Sequence, residues 1–162
     1  MMDVRPLLTA EEANGVAATV VDGAPGLTHS TALRIVDQAV AFVVTAARNP
    51  GAALVPSRVV DAGWHALILH TGLYERLCVG LGQFVHHCPE RPNPGRFNPE
   101  AIERTIAAIE ATGYAVDREL WGGPTGTLGA SVAASCQHSD DTGPIVIKPK
   151  PKPKGAFIGV TG

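Results

Sequence analysis

Lysine is missing from the first 147 residues of this chain. All four lysines are Lys148, Lys150, Lys152 and Lys154, and the residues before them carry nine arginines against fifteen acids. The body is therefore net −6 and the tail +4, which together give the formal charge of −2. An acidic body without clustered cations argues against a phosphate-binding surface, and so against a nucleic-acid role for the globular part. Arginine in place of lysine, with abundant alanine, glycine and valine, points to a GC-rich coding bias rather than to a chemical choice.

Other scarcities narrow the classes further. Cysteine is limited to Cys78, Cys88 and Cys136, an odd number in a chain with no charged start leading into an apolar run. That speaks against a disulfide framework and for reduced thiols in a soluble, cytoplasmic protein. The longest uninterrupted apolar stretches, 39–44 and 66–69, fall far short of the roughly 20 residues needed to cross a bilayer, so no membrane span is expected. No GxGxxG, Walker, CxxC or Ser-elbow pattern occurs, which leaves a nucleotide site or an α/β-hydrolase site unsupported.

What is present is enough for one core: 162 residues at 45% hydrophobic composition. Thr9 and Glu12 have capping-box spacing ahead of Val16, Ala17, Val20 and Val21, and Gly23 to Gly26 end that helix. From Ser30 to Arg48 the residues Leu33, Val36, Val40, Val43 and Ala47 recur at spacings of three and four, widened by Ile35, Ala39 and Phe42. This predicts a central buried helix with Arg34, Asp37, Gln38 and Thr45 on its outer side, and Arg34 with Asp37 as a solvated pair. Two consecutive helices follow at about 57–70 and 72–82, the second presenting Leu73, Leu77 and Leu81, with Tyr74 and Cys78 beside them. Residues 83–97 read as a loop. Asn98, Pro99 and Glu100 then start a helix buried through Ile102, Ile106 and Ile109 and ended by Gly113, and Tyr114, Val116, Leu120 and Trp121 form a closing segment.

The expected fold is thus all-α, a compact bundle of about five helices over residues 1–121, with a disordered Gly/Ser/Pro/Lys-rich tail. Residues 122–144 read as a flexible linker and 145–162 as a Lys-Pro spacer ending in an apolar peptide. Alternating proline fixes φ and removes amide donors, so residues 148–154 should be extended and hold the last eight residues away from the body.

Side chains capable of chemistry crowd into residues 61–89, which hold four of the six histidines and two of the three cysteines. On a helix Asp61 and His65 share a face, which suits an oriented imidazole or two ligands of one metal. His70, five residues on, is displaced sideways from that face. His86 and His87 stand where the loop can fold back over the helix. Asp61, His65, His86 and His87 are therefore the candidate metal ligands, with zinc or iron the foremost ions. The plainer alternative is a core His65 hydrogen-bonded to Asp61. Cys78 suits a small core position, while Cys88 is the more exposed thiol, and Cys136 with His138 offers at most a weak metal site.

Asp61, Trp64, His65, Thr71, Tyr74, Cys78, Gly82, Phe84, His86, His87 and Pro89 together resemble the signature of small actinobacterial proteins grouped with the glycine-rich domain-containing proteins. The likeness extends to Asn49-Pro50-Gly51, to residues 106–110 and to Leu120-Trp121. It implies a compact helical domain and supplies no catalytic residue list. Larger relatives carry a second histidine two positions after the first, where this chain has Leu67, and small relatives end in Cys/His-rich tails, of which only Cys136 and His138 stand here.

Three functional expectations follow. The first is a non-enzymatic adaptor whose tail docks to a protein partner through Lys148, Lys150, Lys152, Lys154, Phe157, Ile158 and Val160. The second is a metal-binding protein or metal-dependent enzyme using Asp61, His65, His86 and His87. The third is a modification substrate, with the helical domain as its recognition leader.

Overall fold

The computed structural model describes residues 7–88 and 98–122, which form five α-helices and a final 3-10 turn, as the apolar periodicity predicts. There is no strand among the described residues. The expected linker, the Lys-Pro spacer, the apolar tail peptide, Pro89, Cys136 and His138 lie outside them.

Helix α1, Ala10–Gly23, begins with the capping box in full. The Glu12 amide donates to Thr9 Oγ1 (3.2 Å), and the Thr9 amide donates to Glu12 Oε2 (2.8 Å), so two amides at the helix start are satisfied reciprocally. Val16, Ala17 and Val20 are its buried stripe.

Helix α2, His29–Arg48, is the axis of the bundle and packs on α1, on α3 (Arg58–Leu69) and on α5 (Pro99–Ala111). By length and mean hydropathy (1.3) α2 could cross a membrane, but 72% of the qualifying window is buried among the other helices, which marks a core helix. Being surrounded also overturns part of the expected outer face. Gln38 and Thr45 are buried, at 6% and 0% exposure. Each has partners that make this tolerable: Thr45 Oγ1 donates to Ala41 O (2.7 Å), and Gln38 donates from Nε2 to Ala115 O (3.1 Å). Gln38 Oε1 also accepts from the Asp117 amide (3.1 Å) and from Trp121 Nε1 (2.8 Å). Arg34 reaches not along its own helix but across the fold, to Asp117 (2.7 Å) and Glu119 (2.6 Å).

Ser57 caps α3 by accepting from the Val60 amide (3.1 Å) and donates to Leu120 O (2.6 Å), tying the helix start to the 3-10 turn Arg118–Trp121. Gly63 lets α3 lie close against α2, since a Cβ there would stand 2.7 Å from Ile35 Cγ2 and 3.0 Å from Ile35 O. Trp64 then fills the centre, its ring 5.1 Å from that of Phe42. Each large side chain removed from water in this way contributes roughly 1.5–3 kcal/mol.

Helix α4, Thr71–Gly80, follows a break at His70, which turns away from His65 and pairs with Thr19 of α1 (Nε2 to Oγ1, 2.9 Å). The deepest stripe of α4 is Tyr74, Leu77 and Cys78, while Leu73 and Leu81 are only partly covered. Asn98 caps α5, whose Ile102, Ile106 and Ile109 are buried as expected, and Gly113 (φ 88°) ends it in the left-handed conformation favoured by glycine. Tyr114, Leu120 and Trp121 then close over the core.

Candidate metal centre

The site is assembled from α3 and from the chain that follows α4. Asp61 and His65 are one helical turn apart on α3, and Asp61 is buried, with its side chain 2% exposed. The rest depends on how α4 ends. The Gly82 amide donates to Val79 O (3.0 Å) and the Gln83 amide to Cys78 O (3.1 Å), with Gly82 at φ 73°. This is a Schellman termination, and it needs a left-handed residue that glycine supplies at no steric cost.

Beyond that turn the chain is not helical, and its residues differ in what they meet. Val85 (2% exposed) and His87 (side chain 8% exposed) face inward. Phe84 is exposed, and its ring packs at a tilt against that of His86, with centroids 4.7 Å apart. Val85 is held by a buried chain of hydrogen bonds: Trp64 Nε1 donates to Tyr74 Oη (3.0 Å), and Tyr74 Oη donates to Val85 O. Trp64 also backs the His87 ring at a centroid distance of 4.5 Å.

His87 Nε2 thereby comes to 2.9 Å from Asp61 Oδ1 and 2.7 Å from His65 Nε2. His65 Nε2 is 3.6 Å from Asp61 Oδ2, an oxygen buried without a hydrogen-bond partner. The donor atoms of Asp61, His65 and His87 all lie within 4.8 Å of one another, the group among the described residues suited to an ion. Burial is the main influence on His65 and lowers its pKa; the Asp61 carboxylate opposes this, and the neighbouring His87 adds to it.

Of the four expected ligands the structure brings three together. His86 is not among them; its ring packs on Phe84 instead. The expected hydrogen bond from His65 to Asp61 is also replaced: Asp61 bonds His87, and His65 approaches at ion-pair distance. Cys78 is buried in the α4 stripe, where desolvation raises its thiol pKa, and Cys88 is exposed; both are free. Sequence reasoning missed the roles of Tyr74 and Gly82 in placing His87. The signal available was the Gly80-Leu81-Gly82 run at the end of the helical pattern, with an inward tyrosine one turn into that helix.

No curated protein and no solved structure matches this chain. A family model, UCP032817-like, matches residues 7–102, which include α1 to α4, Asp61, His65, His87 and the first turn of α5. The match spans more than half of the 162 residues, and the chain belongs to the UCP032817-like family.

Proposed function

We propose that this protein binds a divalent transition-metal ion through Asp61, His65 and His87. Two imidazole nitrogens and one carboxylate oxygen suit zinc with an open fourth position, or non-haem iron(II) with more than one. What favours a metal is that the donors converge on one point. In a proton relay of the Asp-His type, the carboxylate and the second base sit at opposite ring nitrogens of the middle histidine. Here Asp61 Oδ1 and His65 Nε2 both face the same atom, His87 Nε2. One proton there cannot satisfy both remaining lone pairs and Asp61 Oδ2 as well, whereas one cation answers all of them.

The distances are compatible. Ligands held at about 2.0–2.1 Å around a tetrahedral ion stand about 3.3 Å apart, so the two short contacts need to open by about half an ångström. His65 is the outermost member, with its side chain 26% exposed, so a water or substrate ligand would approach from its side. A reducing, cytoplasmic setting belongs to the same proposal, as does kinship with the glycine-rich domain-containing proteins, which the motif from Asp61 to Pro89 supports.

Elemental analysis of untagged protein, followed by titration of the metal-free form with Zn²⁺ and anaerobically with Fe²⁺, tests the proposal. One ion per chain is expected, lost in Asp61→Asn, His65→Ala and His87→Ala. Absence of stoichiometric metal across several growth media and both titrations overturns it. The adaptor and modification-substrate readings concern the tail. They are separate proposals, tested by pull-down with residues 145–162 deleted and by intact mass from the native host.

A further inference from the structure

We infer that Tyr74 is the positioning residue of this site, the group that makes His87 a ligand; this rests on the metal reading above. His87 lies on no helix, in the segment that follows α4. Its side chain is placed by Val85, two residues earlier, whose carbonyl accepts the Tyr74 hydroxyl in a buried bond. The same hydroxyl accepts from Trp64 Nε1. Trp64 is three residues after Asp61, precedes His65 and backs the His87 ring, so one phenol joins the helix bearing two ligands to the segment bearing the third. A hydroxyl is needed for this, because it must accept from an indole and donate to a carbonyl at one atom. Phenylalanine fills the same space and does neither.

Groups that orient metal ligands typically change affinity by 10- to 100-fold when removed, and the loss in Tyr74→Phe is expected to be of that order. The experiment is Co²⁺ titration of the metal-free full-length chain, read by visible absorption, for wild type, Tyr74→Phe and Ile109→Ala. Ile109→Ala removes core packing on α5 without touching the site, and so controls for lost stability. Weaker binding with an altered d–d spectrum in Tyr74→Phe, against an unchanged spectrum in Ile109→Ala, supports the assignment. Wild-type affinity and spectrum in Tyr74→Phe overturn it.

A second readout needs no metal. Diethyl pyrocarbonate modification of His87 and amide exchange over residues 83–88 should both accelerate severalfold in Tyr74→Phe relative to Ile109→Ala. If wild type takes up no Co²⁺, the metal reading has failed, and this comparison alone decides Tyr74: equal rates reject the positioning role, faster rates support it. Trp64→Phe, which keeps a ring beside His87 but removes the indole donor together with part of the buried ring, should shift both readouts in the same direction, and, read against Ile109→Ala for the lost packing, it serves if Tyr74→Phe does not fold.

Discussion

Replacing Gly63 by alanine adds one methyl group at the point where α3 lies against α2. That methyl would sit 2.7 Å from Ile35 Cγ2, 3.0 Å from Ile35 O and 3.1 Å from Ala39 Cβ. Ile35 is fully buried, so its side chain has no free space to turn into, and its carbonyl belongs to the backbone of the central helix. Relief therefore requires the two helices to separate. Overpacking of this kind costs typically 1–3 kcal/mol, and contact with backbone as well as side chain places it towards the upper end. Alanine's better helix propensity returns about 1 kcal/mol, so the net loss is about 2 kcal/mol.

Gly72→Ala is the matched control. Gly72 is also helical, in α4, and nothing lies within 4 Å of a Cβ built there, so only the propensity gain operates and stability should rise by up to about 1 kcal/mol. Urea unfolding would read the difference between the two variants as about 3 kcal/mol in midpoint stability at unchanged m. If Gly63→Ala is as stable as Gly72→Ala, the close approach of α2 and α3 is wrong. Since Asp61 and His65 flank Gly63 by two residues on either side, the same variant should also weaken metal uptake.

Gly82→Ala forces an L residue to φ 73° without any steric contact, so it should cost about 1 kcal/mol in a thermal melt and loosen His87 in amide exchange over residues 83–88. Gln38→Leu leaves Trp121 Nε1, the Asp117 amide and Ala115 O without their partner, and should destabilise by roughly 2–3 kcal/mol, with a red shift of tryptophan emission as the closing segment loosens. Iodoacetamide should label Cys88 rapidly and Cys78 only with denaturant present, as peptide mass mapping would show. Burial raises the Cys78 pKa above its ordinary value of 9.0, so the fold prefers the neutral thiol. That contribution is complete below the unfolded value and is lost as pH rises from there through the folded one, so stability should fall above about pH 9, less steeply in Cys78→Ala.

The helices were legible because their ends are written locally. Thr9 with Glu12, Asn98 with Pro99, and Gly113 each act on backbone groups within four residues, and the apolar spacing between them is long enough to be unambiguous. Gln38 and Thr45 misled for the opposite reason. A polar side chain in a periodic helix reads as outward unless distant partners bury it, and those partners, Ala115, Asp117, Trp121 and Thr112, lie 67 to 83 residues away. Arg34 likewise found Asp117 and Glu119 across the fold. For the site, Asp61 and His65 were readable as a helical pair, but the choice between His86 and His87 turns on a single residue of register. That register is set by the left-handed turn at Gly82 and the Tyr74 bond to Val85, neither of which has a signature in the histidines themselves.

Two buried polar side chains in this fold make the case for Asp61 by contrast. Gln38, at 6% exposure, uses both ends of its amide: Nε2 donates once and Oε1 accepts twice, so packing it into the core leaves no oxygen unmatched. Asp61, at 1% exposure, is a carboxylate, costlier to bury than an amide, yet one of its oxygens has no hydrogen bond among the described residues. An asparagine at that position would fit the same space and still serve His87 at a lower desolvation cost. Where the chain has only packing to achieve, as at Gln38, Thr45 and Ser57, it satisfies its buried polar atoms from nearby backbone and side chains. At Asp61 it keeps a charge and an unmatched oxygen and sets two imidazole nitrogens against them. Under the proposed function, a cation between the three groups offsets that cost. If so, Asp61→Asn should stabilise the metal-free protein or leave it unchanged while abolishing the gain in melting temperature that Zn²⁺ gives the wild type; a strongly destabilised metal-free Asp61→Asn would instead assign Asp61 to holding His87 in the fold.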